Sequence, residues 1–193
     1  MNIRNALINR TTKETEIALT WNTDGQGTFA GTSGIGFLDH MLTLFCHHAR
    51  CDMTLSCQGD LQVDGHHTVE DVGICIGMAL REALGNKDGI QRYGSFFLPM
   101  DETLAQVHVD ISNRPYLVWN MLPLPLMLGD MDSQLLKEFF RAVCQHAGLT
   151  LHITVQYGEN GHHIAEAVFK GWARAMAQAW QVTGKSASSK GLL

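Results

Sequence analysis

"DGHHTVED" (64–71) and "NGHHIAEA" (160–167) set two adjacent histidines and a glutamate at the same spacing, twice in one chain of 193 residues. The surrounding sequence repeats with them. "FLDHMLTLFCHHA" (37–49) carries apolar residues three and four apart, a helical period, and "LLKEFFRAVCQHAG" (135–148) does the same. A shift of 98 residues lays His48 on His146 and Ala49 on Ala147, and the shift tightens to 96 at the histidine pairs. "ETEIALTWN" (14–22), "CDMTLSC" (51–57), "TLAQVHVDIS" (103–112) and "LTLHITVQY" (149–157) alternate as half-buried strands, and "NRPYLVW" continues the third as an extended segment. "VGICIGMALREAL" (72–84) and "AVFKGWARAMAQAW" (167–180) are amphipathic helices directly after each motif.

The order strand, helix, strand, HHxxE, helix therefore occurs twice. It predicts an α+β fold made by internal duplication, with halves at 1–98 and 99–182 and a tail at 183–193. Two sheets stacked on their helical layers would bury both amphipathic helices. "DGQGTFAGTSGIG" (24–36) and "GNKDGIQRYG" (85–94) read as turn regions. The first lacks the G-x-x-x-x-G-K pattern of a nucleotide phosphate loop.

Composition narrows the class. Apolar residues make up 45% and charged residues 17%, as in a globular protein with more covered surface than usual, which points to self-association. A formal net charge of −5 gives no electrostatic reason to expect nucleic acid. The five cysteines are odd in number and form no C-x-x-C pair, so a reducing, cytoplasmic setting is expected and a disulfide scaffold is not. No apolar run reaches 18 residues, so no membrane partner is expected.

Helical geometry gives the motifs a chemistry. Residues three and four apart share a helix face, so Glu70 lies beside His66 and His67, and Glu166 beside His162 and His163, if each motif enters its helix early. Adjacent histidines diverge, so one of each pair suits an ion shared with the glutamate and the other suits a second ion. Imidazole with carboxylate favours Mn, Fe, Zn or Ni over Mg or Ca. A single motif supplies only part of a coordination shell, and the duplicate, from the other half or another subunit, would complete it. His40 falls 98 residues before Glu138, another competent ligand, which adds both to the candidate set. Arg92, Arg114, Lys170 and the tail residues Ser188, Ser189 and Lys190 have the chemistry a phosphate monoester requires. His47, His48, His108, His146 and His152 are read as structural.

"GFLDHMLTLF", "DGHHTVEDVGICIGMAL", "SNRPYL", "ENGHHIAEAVFKGWARAM" and "SSKGLL" together resemble the imidazoleglycerol-phosphate dehydratases of histidine biosynthesis, in their monofunctional form. The similarity runs from about Glu14 to Lys190. It implies halves like domain 2 of ribosomal protein S5, helices packed between the sheets, a 24-subunit assembly, and two Mn2+ ions per active site held between subunits. By matching motifs, His40, His66, Glu70 and His163 would hold one ion, and His67, Glu138, His162 and Glu166 the other. Many relatives carry His at the position of Glu138, and some carry Gln at that of Leu44. Glu14, Arg92, Arg114, Lys170, Ser188, Ser189 and Lys190 would contact the substrate, with the tail closing over its phosphate. The implied reaction removes water from imidazole glycerol phosphate, with the imidazole ring as electron sink and Glu14, Glu70 and Glu166 as the catalytic carboxylates. A metal-dependent hydrolase and a non-catalytic metal-binding protein are the rival readings.

Overall fold

The computed structural model describes residues 4–184. The first half contains β1 (Asn5–Thr11), β2 (Thr15–Asn22), β3 (Phe29–Thr32), α1 (Gly36–Ala49), β4 (Asp52–Gly59) and α2 (His66–Leu84). The second contains β5 (Tyr93–Met100), β6 (Thr103–Asp110), β7 (Tyr116–Asn120), the short pair β8 (Met127–Leu128) and β9 (Met131–Asp132), α3 (Leu135–Ala147), β10 (Thr150–Tyr157) and α4 (Gly161–Ala179). Each half folds into a four-stranded sheet, ordered β1-β2-β4-β3 and β5-β6-β10-β7. In each the last pairing is parallel and the others antiparallel. The two four-stranded sheets thus share one topology, strand for strand.

Alternation decides which face of each sheet is covered. Ile17, Leu19 and Trp21 of β2, and Ala105, Val107 and Val109 of β6, point inward and are buried. The four main helices fill the space between the sheets: α2 lies on β1 and β2, and α4 on β5 and β6. Across the middle the halves exchange partners, α2 packing on α3 and α1 on α4. Gly73 and Gly77 permit the first of these contacts. A Cβ at Gly77 would lie 2.8 Å from both the Val143 carbonyl oxygen and the His146 Cβ. At the second, Phe45 and Trp172 stack with ring centroids 4.0 Å apart.

The sequence reading differs from the fold in three places. β1 and β5 form full edge strands, and β3 lies inside the Gly-rich region read as turn. In β3, Gly31 (φ +95°) passes so close to β4 that a Cβ would overlap the Leu55 carbonyl, so the strand needs glycine where alternation would place a side chain. The helices after the motifs also begin earlier, with the histidines in their first turns. The halves differ mainly by an insertion. β2 and β6 start at Thr15 and Thr103, 88 residues apart, whereas β4 and β10 start at Asp52 and Thr150, 98 apart. The extra residues lie between β7 and α3 and carry the β8–β9 hairpin.

Candidate metal centre

In each motif a side-chain oxygen two residues before the first histidine accepts from that histidine's N–H. Asn160 caps α4, its side-chain oxygen accepting from the N–H groups of His162 (2.9 Å) and His163 (3.4 Å). Asp64 holds the corresponding place before α2 and accepts from the His66 N–H (2.7 Å). Asp130, in the inserted hairpin, caps α1 from the other half by accepting from Gly36 (2.7 Å) and Phe37 (2.9 Å). These caps satisfy helix-end donors and fix where each histidine enters its turn.

The clearest constellation joins the two halves. His40 on α1 and His162 on α4 bring their Nε2 atoms to 2.9 and 3.1 Å from the same oxygen of Glu166. One ligand atom from each of the three lies within 4.8 Å of the others, and no second group of three does so among the described residues. Lys170, one turn along α4, donates to the other Glu166 oxygen at 2.5 Å. Glu166 is almost covered, its side chain 10% exposed. Burial alone would raise its pKa, but hydrogen bonds from Lys170, His40 and His162, together with the Lys170 charge, hold it down to about 2. The site therefore keeps a carboxylate ionised between two imidazoles. This donor set, nitrogen with oxygen and no thiolate, fits a borderline divalent ion such as Mn2+, Fe2+ or Zn2+.

The counterpart group is more open. His66 Nε2 lies 3.7 Å from Glu70 Oε2, both side chains nearly half exposed. Glu138, the pseudo-equivalent of His40, shares with His66 the lining of a cavity of about 640 Å³ and accepts from Arg141 at 3.2 Å. Within one chain, then, His40 sits with His162 and Glu166, while Glu138 shares a wall with His66. Each ligand set implied by the family resemblance draws on both groups.

The second histidine of each motif takes a carboxylate outside its His–Glu pair, and in the first motif the His66 and His67 rings stand at 87°. His67 donates from Nδ1 to Asp60 Oδ2 (2.9 Å), and His163 from Nδ1 to Glu102 Oε2 (2.8 Å). These contacts raise the pKa of both histidines, and the His163 contact helps hold Glu102 well below the usual carboxylate range. Sequence reasoning passed over Asp60 and Glu102. One signal for the latter was available: Glu14-Thr15 opens β2 as Glu102-Thr103 opens β6. Glu14 lies beside His67, 3.8 Å from its Nε2.

The basic candidates separate. Lys170 belongs to the centre. Arg92 is buried and paired with Asp110 through Nε (2.7 Å) and Nη2 (3.2 Å), and the exposed Arg114 reaches the same carboxylate at 3.4 Å. β5 and β6 pair Tyr93 with Asp110 at one end and Met100 with Thr103 at the other. That is roughly 25 Å of strand at about 3.4 Å per residue. One chain does not bring these arginines to its own His163. Leu44 is partly buried against the core. All five cysteines are free, burial pushing the Cys75 and Cys144 thiols up to about 12. Ser188, Ser189 and Lys190 lie outside the described residues.

Residues 33–176 match the family model described as imidazoleglycerol-phosphate dehydratase. The chain is 52% identical to the imidazoleglycerol-phosphate dehydratase of Desulfotalea psychrophila, over 98% of this chain and 96% of that protein. It is 49% identical to that of Heliobacterium modesticaldum, over 99% and 100% respectively. It superposes on the crystal structure of the Staphylococcus aureus enzyme with TM-score 0.84 and 42% identity, covering 93% of this chain and 99% of that one. For the Pyrococcus furiosus IGPD in complex with (S)-C348 the TM-score is 0.82 and the identity 38%, covering 96% and 100%.

Proposed function

This chain belongs to the imidazoleglycerol-phosphate dehydratase family, and from that premise we propose how its residues divide the work. The reaction is the hydro-lyase step of histidine biosynthesis that converts imidazole glycerol phosphate to imidazole acetol phosphate. The observation that carries the site assignment is the i, i+4 His–Glu pair that each motif presents at the start of its helix, His66 with Glu70 and His162 with Glu166.

His66, Glu70, His40 and His163 hold one Mn2+, and His162, Glu166, His67 and Glu138 the other. His66, His67, Glu70 and Glu138 come from one subunit, and His40, His162, His163 and Glu166 from its neighbour. Two facts support this. Each motif presents a helical i, i+4 His–Glu pair, and the second histidine of each is held by a carboxylate outside that pair. Self-association, and sites completed between subunits, follow from this partition. Arg92 and Arg114, at the far end of β5 and β6, then reach the phosphate of a site formed with another subunit, as does the tail. No helix among the described residues is long and apolar enough to cross a membrane, and the cytoplasm is the proposed location.

The hydrogen to be removed sits on a carbon with no neighbouring carbonyl. Manganese held by these residues would supply Lewis acidity that lets the imidazole ring accept the charge. Glu14 takes the proton from the carbon chain. It stands in the β1–β2 turn, half exposed, and its backbone N–H is fixed by the Thr12 hydroxyl at 3.1 Å. Lys170 balances Glu166 and keeps it ionised. The hydroxyl on the adjacent, ring-bearing carbon takes up a proton and leaves as water as its C–O bond breaks, and the enol that remains tautomerises to the ketone.

The test is to strip the protein with chelator, restore Mn2+, and follow ketone and free phosphate in parallel. Manganese-dependent ketone without phosphate is the expected result. Phosphate release would support a hydrolase, and metal uptake without turnover a binding protein.

A further inference from the structure

The two second histidines face different protein partners, and the difference is a reciprocal exchange. Glu14 and Glu102 are counterparts, each directly before the first residue of its half's second strand. Asp60 and Glu159 are counterparts too, each following a glycine that seats the strand end against the next helix. A Cβ at Gly59 would overlap the Thr68 hydroxyl, and one at Gly158 would come 2.9 Å from Ile164 Cγ1. Thr68 and Ile164 each follow a histidine pair. In the first half Asp60 holds the ring of His67 and Glu14 is left half exposed beside it. In the second half Glu102 holds the ring of His163 and Glu159 is exposed.

We propose that Asp60 and Glu102 are positioning residues that lock the Nδ1–H tautomer and the ring plane of His67 and His163. Each leaves Nε2 as the free donor atom for an ion, and Asp60's part in the first half leaves Glu14 available for proton transfer. A carboxylate behind a ligating imidazole fixes its orientation and raises its basicity. Asp60 is committed to this contact: its other oxygen is buried and has no partner among the described residues. Glu102 divides its oxygens, Oε2 on the ring and Oε1 on the N–H groups of Glu159 (3.2 Å) and Asn160 (2.8 Å). The proposal rests on the manganese reading above.

Two substitutions test it without dismantling the fold. Asp60→Ala removes the one hydrogen bond that the Asp60 side chain makes among the described residues. Glu102→Gln keeps an oxygen for the two loop amides but sets an NH2 against Nδ1, which favours the wrong tautomer. Free Mn2+ is titrated by electron paramagnetic resonance against the assembled wild-type protein and each variant, with Glu159→Gln as control. Thermal unfolding of the chelator-treated proteins is followed alongside. Each of the two variants should weaken one class of bound Mn2+ by about 10–100-fold, as outer-shell changes do, with the metal-free unfolding midpoint and the control unchanged. Tight wild-type binding with variants within about twofold of it overturns the positioning assignment alone. A wild type that binds no Mn2+ overturns the functional reading and this proposal with it.

Discussion

Replacing Glu166 with Gln should cost the metal-free protein about 3 kcal/mol at neutral pH, and that cost should fade in acid. Glu166 is nearly covered, hydrogen-bonded by His40 and His162, and paired with Lys170 at 2.5 Å. The fold depresses its pKa from 4.5 to about 2. At about 1.4 kcal/mol per pH unit this corresponds to roughly 3 kcal/mol favouring the ionised carboxylate in the folded chain. The folded pKa is the lower one, so the stabilisation is complete above pH 4.5 and is lost as pH falls toward 2. Roughly 2 kcal/mol of it is gone by pH 3. Glutamine carries no charge and leaves the mostly covered Lys170 unbalanced, so the variant lacks both the stabilisation and its pH dependence. The assay is urea unfolding of chelator-treated wild-type and E166Q protein at pH 7 and pH 3. The gap between them should shrink by about 2 kcal/mol across that interval. An unchanged gap would refute the ionised Glu166–Lys170 pair as the source.

Gly77→Ala drives a Cβ against the Val143 carbonyl and His146 Cβ at 2.8 Å. Overpacking of about 1–3 kcal/mol should exceed the gain of about 1 kcal/mol from helix propensity, lowering the denaturation midpoint. Asp130→Ala removes the α1 cap on Gly36 and Phe37 and should cost about 1 kcal/mol by the same measurement. Glu14→Gln should spare Mn2+ and substrate binding while collapsing kcat, and retained turnover would sink its assignment as the base. Truncation before Ser186 should raise KM strongly in steady-state kinetics, and an unchanged KM would remove the tail from the phosphate site.

The duplication was legible because its strongest elements repeat in register. Histidine pairs, two amphipathic helices and two alternating strands per half leave little freedom in the order of elements. The edge strands were harder to see. β3 reads Phe-Ala-Gly-Thr, with no alternation, because it needs glycine at its closest approach to β4. β5 exposes Tyr93 and Phe97 on its outer face, so it lacks a polar side to alternate against. The metal ligands were readable from type and spacing, and the grouping of His40 with His162 and Glu166 was not. It depends on α1 crossing to α4, which no local pattern encodes. Asp60 and Glu102 escaped notice because they act over 7 and 61 residues of separation, without a motif.

The exchange of helices between the halves also has a consequence for how the chain is made. α1 finds its packing partner in α4, whose first residue comes 125 positions later, at Gly161 against Gly36. On a ribosome adding about 5–20 residues per second, that gap lasts on the order of ten seconds. Through that interval Met41, Leu42 and Phe45, fully buried in the finished protein, have no α4 to cover them. The amino-terminal half therefore cannot complete its own core as it emerges, and the nascent chain depends on whatever shelters exposed apolar helices until synthesis is nearly done.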